Sequence, residues 1–504
     1  MSDSPNERLR RRRAPLEMSP DEFRSIGHEL IDQLADQLAQ LSSRPVTPAE
    51  SPQTIREVLG ADHPLPRTGQ DPASLLKTTT NQLFDHSLFN GHPRFFGYIT
   101  SSAAPIGALG DLVAAVVNPN VGGWTLSPFA SELEGQTVRW IAELIGYPAD
   151  AGGLLVSGGN VANFIGLLAA RAAQVPWDVR KLGLAGGDTP LRVYASGETH
   201  TWIQKATDLS GLGTEAIRWI PTDEEQRLDP AALRRQIETD RASGALPFMV
   251  VGTAGSVSTG AVDPLPALAA LCRELGVWFH VDGAYGGAAA QAEGAPPDLQ
   301  GLRDADSVAI DPHKWLYAPL EAGCVLVRDP GHLRGAFSYH PAYYHLEDEG
   351  TNYFDLGLQN SRGFRALKVW LALRQVGRDG YMQMIADDIR LATHLFDRVA
   401  EHDELEALTR SLSIATFRFV PRDLRSKTAH TAVASYLNRL NEQLLTRLED
   451  SGEAFLSNAL IDEVYALRAC VVNFRTSLDD IEALPPLVAR LGRATDEATR
   501  PADL

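Results

Sequence analysis

A chain of 504 residues is longer than one hydrophobic core usually serves, so two or three subdomains are expected. Its 44% hydrophobic and 22% charged residues are ordinary globular values, and the apolar runs are too short to cross a bilayer. The formal charge of −18 argues against nucleic acid as a partner, because affinity for a phosphate backbone is built from clustered Lys and Arg. The local exception, Arg8 with Arg10 to Arg13, reads either as a solvated tail or as a contact for an anionic surface. Asp3 and Glu7 weigh against a transit peptide, and the amino terminus has no apolar segment of the signal-peptide kind. Cys272, Cys324 and Cys470 are few, odd in number and set in apolar contexts, which suits buried thiols in a reducing compartment. The expectation is a soluble protein without a membrane partner, with the cytoplasm its simplest home.

Along the chain, Phe23, Ile26, Leu30, Leu34, Leu38 and Leu41 recur every three or four residues, so an amphipathic helix is predicted over 20–41 with Ser19 as its cap. Residues 42–71 are rich in proline and polar side chains, and 72–88 read as another helix. Neither helix has a core of its own, so this arm packs on its own chain or on another. Residues 91–102, Gly-His-Pro-Arg-Phe-Phe-Gly-Tyr-Ile-Thr-Ser-Ser, form a loop dense in aromatics and turn formers, and 118–134 contain Trp124.

The central region alternates strand and helix. Apolar runs at 153–156, 191–195 and 247–251 each lead into a turn, and helices are expected over 160–171 and from His200. Continuous apolar runs of this kind are buried parallel strands, whose ligands bind at the carboxyl ends. After the strand at 324–329 comes a long loop, 330–357, and then a helix over 364–375. Beyond 379 the pattern is helix, strand 413–420, helix 432–448, strand 464–472 and a last helix from 478, a separate α/β subdomain. The expected division is an arm over 1–100 with 1–17 disordered, a large domain over 101–378 and a small domain over 379–504.

Two of these runs deliver complementary chemistry. The run 277–281 ends in Asp282 and flows into the small-residue turn Gly283-Ala284-Tyr285-Gly286-Gly287. The run from Ser307 stops at Asp311-Pro312, since proline cannot donate to a ladder, and is followed by His313 and Lys314. An amine and a carboxylate at neighbouring strand ends are what pyridoxal phosphate requires. The lysine forms a Schiff base with the aldehyde, and the acid keeps the pyridine nitrogen protonated so that the ring accepts electrons. Ser157-Gly158-Gly159-Asn160 opens a helix directly after a strand, where small residues and the helix dipole make a seat for phosphate.

At Asp282-Gly-Ala-Tyr285 and Asp311-Pro-His-Lys-Trp-Leu316 the sequence resembles the group II pyridoxal-phosphate-dependent amino acid decarboxylases, the family of aromatic-L-amino-acid decarboxylase and glutamate decarboxylase. With unmatched stretches, the resemblance runs from about Phe23 to about Leu491. It implies an α/β protein of the fold-type-I pyridoxal-dependent transferase fold: a mostly parallel central sheet with helices on both faces, a C-terminal α/β subdomain and an N-terminal helical arm. It also implies a homodimer in which that arm wraps the partner subunit. The resemblance makes Lys314 the Schiff-base lysine, Asp282 the pyridinium partner and His200 the ring stacked on the cofactor, with Gly158, Gly159 and Asn160 as the phosphate loop. Thr253, Ala284 and His313 complete the cofactor site in this reading, with Ser256 and Thr259 as turn residues. Tyr98, Ile99, Thr100 and Trp124 fall on substrate-lining positions, and residues near this Trp reach the neighbouring subunit's site; Tyr98 also reads as ordinary core. Asp311 stands where some members have an asparagine on the cofactor phosphate, which a carboxylate would repel, so its role is open.

Once CO2 has left, a proton must reach Cα rather than the cofactor, which would otherwise be lost as an amine. The decarboxylases place a tyrosine on a mobile loop for this, and related aldehyde-forming enzymes have phenylalanine. In His340-Pro-Ala-Tyr-Tyr344 the Pro-x-Tyr register selects Tyr343, with Tyr344 one position off. The expected substrate is a small molecule, an L-amino acid with an aromatic or bulky apolar side chain, because an acidic one would need a dedicated cation. The glycines of Val121-Gly-Gly-Trp124, where aromatic decarboxylases are bulkier, imply a different pocket shape. Arg365 either binds a carboxylate or caps a helix. The rival readings are decarboxylation coupled to oxidative deamination, glutamate-type decarboxylation, and a scaffold homologue without catalysis.

Overall fold

The computed structural model describes residues 5–12, 14–339, 350–502 and 504, and the chain divides into two units, Met1–Phe89 and Asn90–Leu504. In the first unit, helices Pro20–Gln40 and Pro72–Asp85 are linked by Lys77 Nζ to Glu29 at 2.8 Å and by Gln33 to Asn81 at 2.6 Å. Ser19 accepts a hydrogen bond from the Glu22 amide, the cap its position predicts. In Pro20–Gln40 the side chains of Ile26, Leu30 and Leu34 are half-buried, while Phe23 and Leu38 are exposed. The segment between these helices is not all irregular. Ser51 followed by Pro52 starts the helix Pro52–Leu59, and Gly60 at φ 64° ends it, a start and stop that proline-rich composition concealed.

The second unit is built on a seven-stranded sheet: β1 (Gly152–Val156), β2 (Leu191–Ser196), β3 (Ile217–Ile220), β4 (Leu246–Thr253), β5 (Trp278–Asp282), β6 (Ser307–Ile310) and β7 (Gly323–Val327). The spatial order is β1-β7-β6-β5-β4-β2-β3, with β7 antiparallel to both neighbours and the remaining pairs parallel. Around it stand α1 (Pro105–Val117), α2 (Pro128–Ile145), α3 (Gly159–Gln174), α4 (Trp202–Leu209), α5 (Pro230–Ala242), α6 (Leu265–Leu275) and α7 (Ala366–Ala400).

The period of two along each strand divides the core. Val250, Phe279 and Val281 pack with Ile141 of α2, Ile237 of α5 and Leu268 of α6, whereas Met249, Val251 and Trp278 pack with Ile165 of α3 and Ile203 of α4. A second, antiparallel sheet of β8 (Leu405–Ser411), β9 (Ile414–Phe419), β10 (Ser457–Ile461) and β11 (Val464–Cys470), in the order β10-β11-β9-β8, is covered by α8 (Thr431–Ser451) and α9 (Leu478–Thr499). Among the described residues no helix is long and apolar enough to cross a membrane.

Register brings the functional ends together. Thr253 pairs with Asp282, Asp282 with Ala309, and Val156 with Gly323 at the start of β7. The carboxyl ends of β1, β4, β5 and β6 thus open on one edge, the place where such sheets bind ligands.

Candidate active site

A cavity of about 490 Å³ lies at that edge, lined by turns after β1, β4, β5 and β6. Residues after β6 fold into a turn in which the Lys314 amide donates to the Asp311 carbonyl at 2.9 Å and Ala318 to Pro312 at 3.1 Å. The turn aims Lys314 into the cavity with Nζ 3.1 Å from Asp311 Oδ2. His313 Nε2 lies 3.7 Å from the same oxygen, and its Nδ1 is 2.7 Å from the Ala322 carbonyl, which fixes the ring. Burial lowers the His313 imidazole below its ordinary range, with Asp311 opposing.

Asp282 ends β5 facing the same space, and its carboxylate accepts from the Ala284 amide at 3.2 Å. Behind it His280 is fully buried and satisfied on both sides. Trp278 Nε1 donates to Ser307 Oγ at 2.9 Å, Ser307 is 2.7 Å from His280 Nδ1, and His280 Nε2 is 2.7 Å from Asn163 Oδ1. Burial pushes this ring down to about 4, so it is neutral at pH 7, and the order of donors assigns its proton to Nε2.

His200 sits two residues ahead of α4 rather than inside it, and its Nδ1 accepts from the Trp202 amide at 3.2 Å. The cap fixes a ring that is open to the cavity, and partial burial lowers its affinity for a proton, with Asp282 opposing and Lys314 reinforcing. Thr253 is held by Asp263, whose Oδ2 accepts the Thr253 amide at 2.7 Å and which burial pushes up to about 6. Ser256 and Thr259 bond each other at 3.0 Å as a turn pair.

The turn after β1 is built on two glycines. Gly158, at φ 136°, precedes α3, where the Val161 and Ala162 amides already donate to the Gly158 carbonyl at 3.0 Å and the Gly159 and Asn160 amides lack a helical acceptor. A Cβ on Gly159 would stand 2.7 Å from Asp311 Oδ2 and 3.3 Å from Ala284 Cβ, and one on Gly323 only 2.5 Å from Gly158 Cα. Only glycine lets these turns close. Amine, carboxylate, imidazole and helix amino terminus in one cavity fit pyridoxal phosphate. Asp311 is the discordant member: buried, with Oδ1 lacking any hydrogen-bond partner.

Of the positions expected from the sequence, the cavity lining includes Gly158, Gly159, Asn160, His200, Thr253, Asp282, Ala284, His313 and Lys314, together with Ile99. Tyr98, Thr100 and Trp124 do not line it. The chain turns at Tyr98 (φ 50°), leaving that ring 57% exposed against Phe455 while Ile99 goes inward. The Thr100 hydroxyl is buried without a partner, and Trp124 donates from Nε1 to Glu132 at 2.8 Å. Tyr343 and Tyr344 lie outside the described residues.

Arg365 stands at the amino end of α7 without a side-chain cap hydrogen bond, and donates from Nε to Glu321 at 2.9 Å. Glu321 and Glu198 are cavity residues that the sequence reading passed over. Burial raises the Glu198 carboxyl, and its Oε2 has no partner. Its place two residues before His200 was the available signal.

Comparison with known proteins agrees with this geometry. Residues 54–420 match the family model described as the pyridoxal-dependent decarboxylase conserved domain. The chain is 33% identical to an aromatic-L-amino-acid decarboxylase of Bacillus atrophaeus, across 92% of this chain and 94% of the relative. It is 31% identical to a phenylacetaldehyde synthase of Petunia hybrida, across 90% and 91%. Among solved structures it resembles Oryza sativa TDC with PLP and tryptamine at a TM-score of 0.87 and 27% identity, covering 96% of this chain and 99% of that one.

Proposed function

The chain belongs to the pyridoxal-dependent decarboxylase family, enzymes that remove CO2 from amino acids with pyridoxal phosphate, and we propose that its substrate is an L-amino acid with an aromatic or bulky apolar side chain. What carries this reading is the convergence of Lys314 and Asp282, from adjacent strands, on one cavity at the amino terminus of α3. The composition of the cavity supports the side-chain class. Glu198, Asp282, Asp311 and Glu321 line it, and no arginine does among the described residues, so an acidic side chain would meet like charge. The relatives point the same way: in addition to the Bacillus protein they include a tyrosine decarboxylase of Petroselinum crispum.

Lys314 is the residue to hold the cofactor covalently, and the amides at 158–160 to hold its phosphate. Asp282 would keep a proton on the ring nitrogen, and His200, whose affinity for a proton burial lowers, would pack against the cofactor from the same cavity wall. Pyridoxal phosphate, when bound, supplies the electron sink that accepts the pair left on Cα as CO2 departs. Tyr343, on the sequence match alone, is the acid that protonates Cα. Glu198, with its free oxygen in the cavity, is placed to accept a hydrogen bond from a phenol or indole on the substrate.

We further propose a homodimer. Leu109, Leu112, Val113 and Val116 form one stripe of α1, with Val116 64% exposed, and Leu126 and Phe129 add to the exposed apolar surface. In such a dimer the family resemblance would bring residues near Trp124 to the other subunit's site. Incubating the holoenzyme with a panel of amino acids and measuring CO2, amine, aldehyde and ammonia tests the function. Amine from aromatic substrates is expected; turnover of glutamate alone, or aldehyde with ammonia as main products, would overturn it.

A further inference from the structure

The three residues after Lys314 are fastened to one face of α7. Asp388 Oδ2 accepts from Trp315 Nε1 at 2.8 Å and from Tyr317 OH at 2.7 Å. Two helical turns earlier on the same face, Tyr381 OH donates to the Leu316 carbonyl at 3.1 Å, and its ring lies parallel to that of Tyr317 at 6.4 Å. Trp315 and Tyr317 are each no more than 1% exposed, as is Tyr381. The far side of Trp315 is closed by Tyr285, three residues after Asp282, stacked at 4.9 Å with an interplanar angle of 16°. Tyr285 OH is in turn 2.7 Å from Ser413 Oγ, at the start of β9.

We propose that Asp388 and Tyr381 are positioning residues for Lys314: through Trp315, Leu316 and Tyr317 they fix where the amine enters the cavity, and the Tyr285 stack ties that position to Asp282. Packing alone would not require this arrangement. Trp, Leu and Tyr of this size would bury on any apolar helix face, whereas α7 meets them with a carboxylate, which burial pushes up to about 7. A costly buried acid that serves two donors beside a reactive lysine places that lysine more narrowly than apolar contacts can. The inference deepens the cofactor reading above and rests on it.

The test uses full-length protein with added pyridoxal phosphate, following the absorption bands of the lysine-bound cofactor together with kcat and KM. In Tyr381→Phe and Asp388→Ala the bands should shift or change their ratio, and kcat should fall by about tenfold or more at nearly constant KM, the cost of a misplaced reacting group. Asp388→Asn, which keeps an acceptor oxygen, should restore kcat to within about threefold of wild type if the hydrogen bonds rather than the charge matter. Leu437→Ala, in the core beneath the second sheet, should lower the melting temperature and leave bands and kcat alone. Tyr381→Phe removes only a hydroxyl, so it decides the matter if Asp388→Ala does not fold. Wild-type bands and kcat in Tyr381→Phe, or an equal loss in Asp388→Asn and Asp388→Ala, would overturn the inference. A wild-type protein without the cofactor band would instead overturn the cofactor reading, and this inference with it.

Discussion

Asp311 Oδ2 lies 3.1 Å from Lys314 Nζ and 2.7 Å from the position a Cβ on Gly159 would occupy. One buried carboxylate therefore stands between the amine and the phosphate seat, and its other oxygen has no partner. A charge about 5 Å from a phosphate costs about 3 kcal/mol at an effective dielectric of 20. Asp311→Asn should therefore tighten cofactor binding by about tenfold, a gain smaller than the full repulsion. Titrating the apoprotein with pyridoxal phosphate and following fluorescence quenching gives the affinity. An equal or weaker affinity in the variant would show that Asp311 does not oppose the phosphate.

Asp282→Asn keeps the shape of the side chain and removes the charge proposed to keep the ring nitrogen protonated. Lys314 remains, so the cofactor should still attach, and borohydride should still fix it to residue 314 on mass analysis. CO2 release should fall by about 10²–10⁴, the range expected when a proton-positioning group is lost. Turnover within a factor of three of wild type would remove Asp282 from that role.

Tyr343→Phe separates amine formation from the aldehyde outcome. With the hydroxyl gone, protonation at Cα should slow, and the panel products should move from amine toward aldehyde with ammonia. Tyr344→Phe serves as the register control, since only one of the two should change the product ratio.

Much of the site was legible because buried parallel strands are written as continuous apolar runs with chemistry at their ends. Asp282 and Lys314 follow such runs, and the glycines at 158 and 159 mark a turn that tolerates no Cβ. The strands the sequence reading passed over, β3, β8 and β10, are all at sheet edges. These edge strands are half-exposed, as in Leu-Glu-Ala-Leu-Thr-Arg-Ser over Leu405–Ser411, so they lack the apolar run that marks a central strand. The helix expected to end at Gln375 does break at Gly377, φ 72°, but resumes at once through Ala400. Asp388 and Glu198 were missed for another reason: a carboxylate in a helical or loop pattern reads as solvent-facing, and only the fold shows that Asp388 is buried and that Glu198 is half-buried with an enclosed Oε2.

The dimer proposal predicts that a charge on the α1 stripe separates the subunits. Val113 and Val116 are more than half exposed, while Gly107 and Gly110 on the opposite face pack against Pro319 and Leu371. Val113→Asp with Val116→Asp should leave the fold intact, because neither side chain is in the core, and should halve the mass measured by light scattering. Loss of activity in the separated chains would follow if each pocket is completed by the other. An unchanged mass would place the interface elsewhere.

His280 gives a prediction about acid. Its ring is fully buried between Ser307 and Asn163, with its folded affinity pushed down to about 4 from an ordinary 6.5. Between these values the unfolded chain binds the proton and the folded chain does not, so stability falls as pH drops from 6.5 to 4. The gap corresponds to roughly 3 kcal/mol. Asp388 and Asp263 act in the opposite sense. Burial pushes them up to about 7 and about 6, so they take up protons in the folded state first and add stability as pH falls through those values. A bare stability profile would mix the three. The difference between wild type and His280→Gln isolates the imidazole, because glutamine keeps hydrogen-bonding capacity and does not titrate. Urea midpoints for both proteins from pH 7.5 to pH 4 should show the wild-type advantage shrinking by roughly 3 kcal/mol across that window. A constant difference would mean that the ring takes up its proton at the same pH in the folded and the unfolded chain, and that burial between Ser307 and Asn163 does not hold it neutral.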